Sequence, residues 1–139
     1  MRFFIDLIES VGSVTWIPPK GRVRDLREHR AAVVWIDVTQ FDASWAKDDL
    51  YVAPGGEGGM ARRYAGFGQW LAAGGAPVEM PEVGLGYRNE IVFNNGRHRY
   101  SWLRDHGVTA LPVLTEIENA QPITDRFGTS LRISKIQNP

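Results

Sequence analysis

The stretch Ile91-Val92-Phe93-Asn94-Asn95-Gly96-Arg97-His98-Arg99-Tyr100-Ser101-Trp102-Leu103-Arg104-Asp105-His106-Gly107 starts apolar, stops at two asparagines and a glycine, and resumes with a cationic cluster. The pattern predicts a buried strand ending at Phe93 and a helix over Arg97–His106, closed by Gly107. A glycine turn entering a helix leaves N–H groups that no carbonyl of the helix can satisfy. The helix dipole adds partial positive charge at the same point, which suits phosphate or carboxylate. Asn95, Gly96, Arg97, His98 and Arg99 are therefore the candidate phosphate-binding residues. Glycine lets a ligand approach the backbone closely, and Arg99 has the fork that grips phosphate oxygens. His98 is the residue able to exchange a proton near neutral pH. The competing reading is an ordinary helix start whose arginines are solvated.

Working outward, Gly107 is followed by Leu111-Pro112-Val113-Leu114, a second apolar strand. This strand, G-x-x-R turn, helix, glycine and strand resemble the signature of the ParB/sulfiredoxin superfamily. The phrases Trp35-Ile36-Asp37-Val38 and Gly96-Arg97-His98-Arg99-Tyr100 look most like its plasmid fertility inhibition (Osa-like) branch. That resemblance implies a ParB/sulfiredoxin-like fold. It also implies action against conjugal DNA transfer, with ATPase and DNase activity. Where sulfiredoxin reads Gly-Cys-His-Arg, this chain has Arg97 and no cysteine at all, so sulfinic acid reduction is excluded. The chromosome-partitioning proteins carry Gly-Glu-Arg-Arg and later a Glu-Asn-x-Gln-Arg box. Glu118-Asn119-Ala120-Gln121 echoes the box, but it follows the strand too closely and ends in Pro122. Their helix-turn-helix domain has no room in 139 residues.

At this length a single domain over 1–139 is expected. Apolar residues at 43% and charged residues at 23% are ordinary for a globular protein. No apolar run approaches the ~18 residues of a membrane span, so membrane insertion is not expected. Asp6 and Glu9 interrupt the first apolar stretch, against a secretory signal. Without cysteine, disulfides and thiolate metal sites are excluded, and a cytoplasmic location is expected. The 16 basic and 16 acidic side chains cancel, so contact with nucleic acid would have to be local.

Along the chain, Arg2–Ile8 and Ser13–Ile17 read as strands turned at Gly12, and Pro18-Pro19 stops regular structure. Lys20–Arg30 reads as a surface loop or short helix. Ala31–Val38 has the profile of a buried strand, and Asp42 is placed to cap a short helix holding Trp45. Pro54–Gly59 reads as a mobile glycine-rich connector or, alternatively, a phosphate-cradling lid. It lacks the Gly-Lys-Ser/Thr ending of a P-loop. Met60, Tyr64, Phe67 and Leu71 recur at helical spacing and predict a core-facing helix over Met60–Ala73, ended by Gly74-Gly75. Pro77–Gly86 reads as turns, Leu111–Ile117 as strand, Asn119–Gly128 as loop and Leu131–Ile136 as a last strand. The sum is an α+β domain with a small, mixed, mostly antiparallel sheet and flanking helices.

Trp16, Trp35 and Trp102 belong to apolar elements and read as core, whereas Trp45 or Trp70 could anchor an interface. Arg62 and Arg63 sit near a helix start, where positive charge is unfavourable unless an anion offsets it. Asp37 is either a buried carboxyl with a raised pKa or an exposed strand end. The three histidines lack metal-ligand spacing, so no metal ligands are assigned. His98 and Arg99 are the candidate catalytic residues, His98 as general acid or base and Arg99 stabilising charge on phosphate. Candidate ligands are ATP or CTP with Mg2+, and DNA. The alternative function is a non-enzymatic immunity or inhibitor protein that neutralises a toxin or a transfer-apparatus partner.

Overall fold

The computed structural model describes residues 14–132 and 134–137. Its elements begin with β1 (Thr15–Ile17), α1 (Val23–Arg27), β2 (Ala31–Asp37) and α2 (Val38–Trp45). They continue with α3 (Ala61–Ala72), β3 (Val78–Glu79), β4 (Glu82–Leu85) and β5 (Ile91–Asn95). The chain then forms α4 (Arg97–Asp105), β6 (Ala110–Glu116), α5 (Ile117–Phe127) and β7 (Lys135–Ile136). Short 3-10 turns occupy Lys20–Arg22 and Pro54–Gly56. The Arg2–Ile8 strand and the Gly12 turn lie outside the described residues.

The backbone of the fold is a four-stranded sheet in the order β2-β6-β4-β5. β2 and β6 pair antiparallel from Ala31↔Glu116 to Asp37↔Ala110, and β4 pairs antiparallel with β5. β4 and β6 meet in parallel at Glu82↔Leu114. Pro112 is tolerated in β6 for a geometric reason. The Leu114 amide donates to the Pro81 carbonyl, so the missing amide two residues earlier faces the same side, beyond the recorded β4 register. A smaller parallel sheet runs β3-β1-β7.

One contiguous core joins these layers. Phe41 of α2, Phe93 of β5 and Tyr100 of α4 form an aromatic cluster with Trp45 and Phe127, at centroid separations of 4.4 to 5.9 Å. Trp16, Trp35 and Trp102 are buried, as the pattern predicts, and Trp45 is buried too. Gly68 of α3 lies against Trp102 so closely that a Cβ there would stand 2.2 Å from the indole Nε1. The absence of a side chain sets how near α3 comes to α4.

Several expectations need correction. Asp37, not Asp42, caps α2, accepting the Gln40 amide at 3.1 Å. Pro77–Gly86 holds two short strands, because Val78 and Met80 between Pro77 and Pro81, and Val83 just beyond, are fully buried. Asn119–Gly128 belongs mostly to α5. Ile123 and Phe127 bury on the core, which holds the helix together through Pro122. Met60 precedes α3 and is half-exposed, so the core stripe of that helix starts at Tyr64. Among the described residues, no helix is long and apolar enough to cross a membrane.

Candidate functional site

Gly96 holds φ at +86°, a left-handed conformation that glycine adopts without strain, and it is the N-cap of α4. A Cβ at Gly96 would also lie 2.7 Å from Arg99 Nη2 and 3.1 Å from the Pro81 Cα. The turn thus needs glycine twice over. No side chain caps α4 and no acidic residue occupies its first turn. The Tyr100 amide returns to the Gly96 carbonyl at 3.0 Å, while the three amides before it have no carbonyl within the helix.

Beside this turn lies a cavity of about 730 Å3. Asn95, Gly96, Arg97, His98 and Arg99, the residues singled out from sequence, all line it. The rest of the wall is formed by Leu50, Pro77, Phe93, Asn94 and residues of α3 and β3. From α3 come Arg63, Gly66, Phe67 and Trp70, which share one face of that helix at i, i+3, i+4 and i+7. Of the two arginines read near a helix start, Arg63 lines the cavity, whereas Arg62 is exposed and does not line it. Trp70 and Phe67 were not foreseen as wall residues, although their helical spacing from Arg63 carried that signal.

The charges are one-sided. Arg63, Arg97 and Arg99 all belong to first turns, of α3 or α4, and neither turn contains an acidic residue. Cations at helix N-termini oppose the dipole, so this arrangement costs stability until an anion arrives. Glu79 is the acidic residue among the lining side chains. Arg97 Nη1 donates to the Leu50 carbonyl at 2.7 Å, and Arg99 Nε donates to the Glu79 carbonyl at 3.1 Å. Arg99 Nη2 is buried without a partner. Burial lowers the Arg99 pKa, with Glu79 and Glu82 opposing it, and the guanidinium remains a cation at physiological pH.

His98 is placed differently from its neighbours. It is 8% exposed, and its Nε2 accepts the Met60 amide at 2.9 Å. That bond fixes a neutral ring with the proton on Nδ1. Burial, then the charges of Arg97 and Arg63, lower its pKa, so the neutral form is reinforced. Its basic nitrogen is engaged by backbone, and His98 holds the entry to α3.

Pro54–Gly59 does not line the cavity. Its Gly55 amide donates to Asp105 Oδ2 at 2.9 Å, and Gly56 packs on the Tyr64 ring. It is a tethered turn, neither lid nor phosphate cradle. Behind it, Asp105 also accepts from Tyr64 Oη at 2.7 Å and Arg104 Nε at 2.9 Å, while Arg104 Nη1 reaches Asp42 at 3.0 Å. Among the described residues no group of three His, Asp or Glu side chains could hold a metal ion. Glu79 alone does not make a divalent site in the cavity, so Mg2+ would have to be held chiefly by the phosphates of a ligand.

No known protein family and no curated protein matches the sequence. The chain superposes on a solved crystal structure of Oncogenic Suppression Activity Protein, a plasmid fertility inhibition factor, in a gold(I) cyanide derivative. The TM-score is 0.55 at 20% sequence identity, over 72% of this chain and 58% of that one. This chain therefore spans less than two thirds of the neighbour, and the likeness establishes a shared α+β fold.

Proposed function

We propose that this protein binds the phosphate of a nucleotide in the cavity at the start of α4. The observation that carries the reading is the convergence of Arg63, Arg97 and Arg99 on one cavity from two helix N-termini that lack acidic residues. In this reading the first-turn amides of α4 donate to phosphate oxygens, Arg97 and Arg63 close on the remaining charge, Arg99 adds buried positive charge beneath the turn, and Asn95 and Gly96 form the rim. The strand–turn–helix–strand order around Gly96–Arg99 supports a ParB/sulfiredoxin-like ancestry. The fold shared with a plasmid fertility inhibition factor supports a role in restraining conjugal DNA transfer.

Binding is proposed ahead of turnover. The resemblance implies ATP and DNA hydrolysis, but His98 has its basic nitrogen occupied, and among the described residues Glu79 is the one carboxylate on the wall. Calorimetry with ATP, CTP and pyrophosphate, with and without Mg2+, tests the proposal. All three ligands are expected to bind, and Arg97→Ala is expected to weaken each by about 1.5–3 kcal/mol, the scale of a hydrogen bond to a charged group. Absence of heat with every ligand at millimolar concentration overturns the reading and favours the non-enzymatic inhibitor.

A further inference from the structure

We propose that Trp70 is the platform on which the aromatic base of the bound nucleotide stacks. The proposal rests on the phosphate-binding reading of the same cavity and names the other half of its ligand. Trp70 is 44% exposed and lines the cavity. A solitary exposed tryptophan means little, but this ring is fixed in place. A Cβ at Gly75 would lie 2.3 Å from both ring-fusion carbons, Cδ2 and Cε2, so the Gly75 backbone lies against one indole face. The Gly75 amide also donates to the Trp70 carbonyl at 2.9 Å, and Phe67 packs at 5.9 Å between centroids. Glycine at position 75 is what lets the ring lie flat on the helix end. Held in this way, Trp70 still lines the cavity.

The spacing along α3 fits a ligand with a ring at one end and charge at the other. Arg63 and Trp70 are seven residues apart on one face of the helix, which is about 10 Å of axial rise. Between them stands Gly66, and nothing lies within 4 Å of where its Cβ would be. The wall therefore runs from cation to aromatic plane with an open floor between. A volume of about 730 Å3 suits a nucleotide, within the roughly 300–1,000 Å3 typical of small-molecule sites. Stacking on an aromatic face tolerates any base, so the expected preference is for nucleotide over bare polyphosphate, with little discrimination between purine and pyrimidine.

The test is calorimetry on the full chain with ATP, CTP and inorganic tripolyphosphate as probes. Wild-type protein is expected to bind ATP and CTP with similar affinity, and both more tightly than tripolyphosphate. Trp70→Ala should weaken ATP and CTP roughly ten-fold or more and leave tripolyphosphate unchanged, while Trp70→Phe should restore most of the loss. Gly66→Leu, which fills open space and should fold normally, is expected to weaken nucleotides by obstructing the floor. If tripolyphosphate binds and Trp70→Ala binds ATP as wild type does, the platform is wrong and the phosphate site stands. If neither ATP nor tripolyphosphate binds wild-type protein, the phosphate reading falls, and this proposal falls with it.

Discussion

His98 accepts the Met60 amide with Nε2 at 2.9 Å, and burial with the Arg97 and Arg63 charges depresses its pKa. A histidine held neutral by the fold gives stability that is complete above its unfolded pKa of about 6.5 and is lost as pH falls through the lower folded value. The melting temperature should therefore decline on acidification below about pH 6.5. His98→Gln can still accept the amide through Oε1 but does not titrate, so this part of the decline should vanish in pH-dependent melts. His98→Ala strands the Met60 amide and should cost about 1–2 kcal/mol in denaturant unfolding at pH 7.5. Sequence could place His98 beside an anion pocket. It could not show the Met60 amide, which comes from 38 residues away.

At the level of elements, the helices that form the cavity are positioned by glycines as much as by apolar stripes. Gly66 and Gly68 lie in the interior of α3 and should respond oppositely to the same substitution. At Gly66 a methyl meets nothing within 4 Å, so Gly66→Ala should stabilise by about 0.5–1 kcal/mol through helix propensity alone. At Gly68 the added Cβ would stand 2.2 Å from Trp102 Nε1, and Trp102 is buried. Overpacking of about 1–3 kcal/mol should exceed the propensity gain, so Gly68→Ala is expected to be net destabilising by about 1–2 kcal/mol. Paired chemical denaturation of the two variants checks the signs. The strand–turn–helix around Gly96 was legible because apolar run, turn residues and glycine stop agree over a short span. β3, β4 and α5 were not, because Pro77, Pro81 and Pro122 signal interruption locally while burial of Val78, Met80 and Ile123 overrides them.

For the molecule as a whole, α4 is the shared support: its first turn forms the cavity, and its last turn is tied to α2, α3 and the Pro54–Gly59 turn through Arg104 and Asp105. None of those ties was visible in sequence, since each joins residues at least 41 positions apart. Burial raises the Asp105 pKa, but Arg104, the Tyr64 hydroxyl and the Gly55 amide outweigh it and hold the carboxyl below its ordinary value. The resulting stability is present above the unfolded carboxyl pKa of about 3.9 and is lost as pH falls through the lower folded value. Asp105→Ala leaves Arg104 Nε, the Tyr64 hydroxyl and the Gly55 amide without their acceptor. Asp42 still holds Arg104 Nη1, so the expected cost is about 2–3 kcal/mol, short of the roughly 3–5 for a wholly stranded buried charge. Asp105→Asn keeps the shape without the titration, so its melting temperature should fall less steeply than that of wild type below about pH 4. Identical acid limbs for the two proteins would show that Asp105 does not hold the fold in this way.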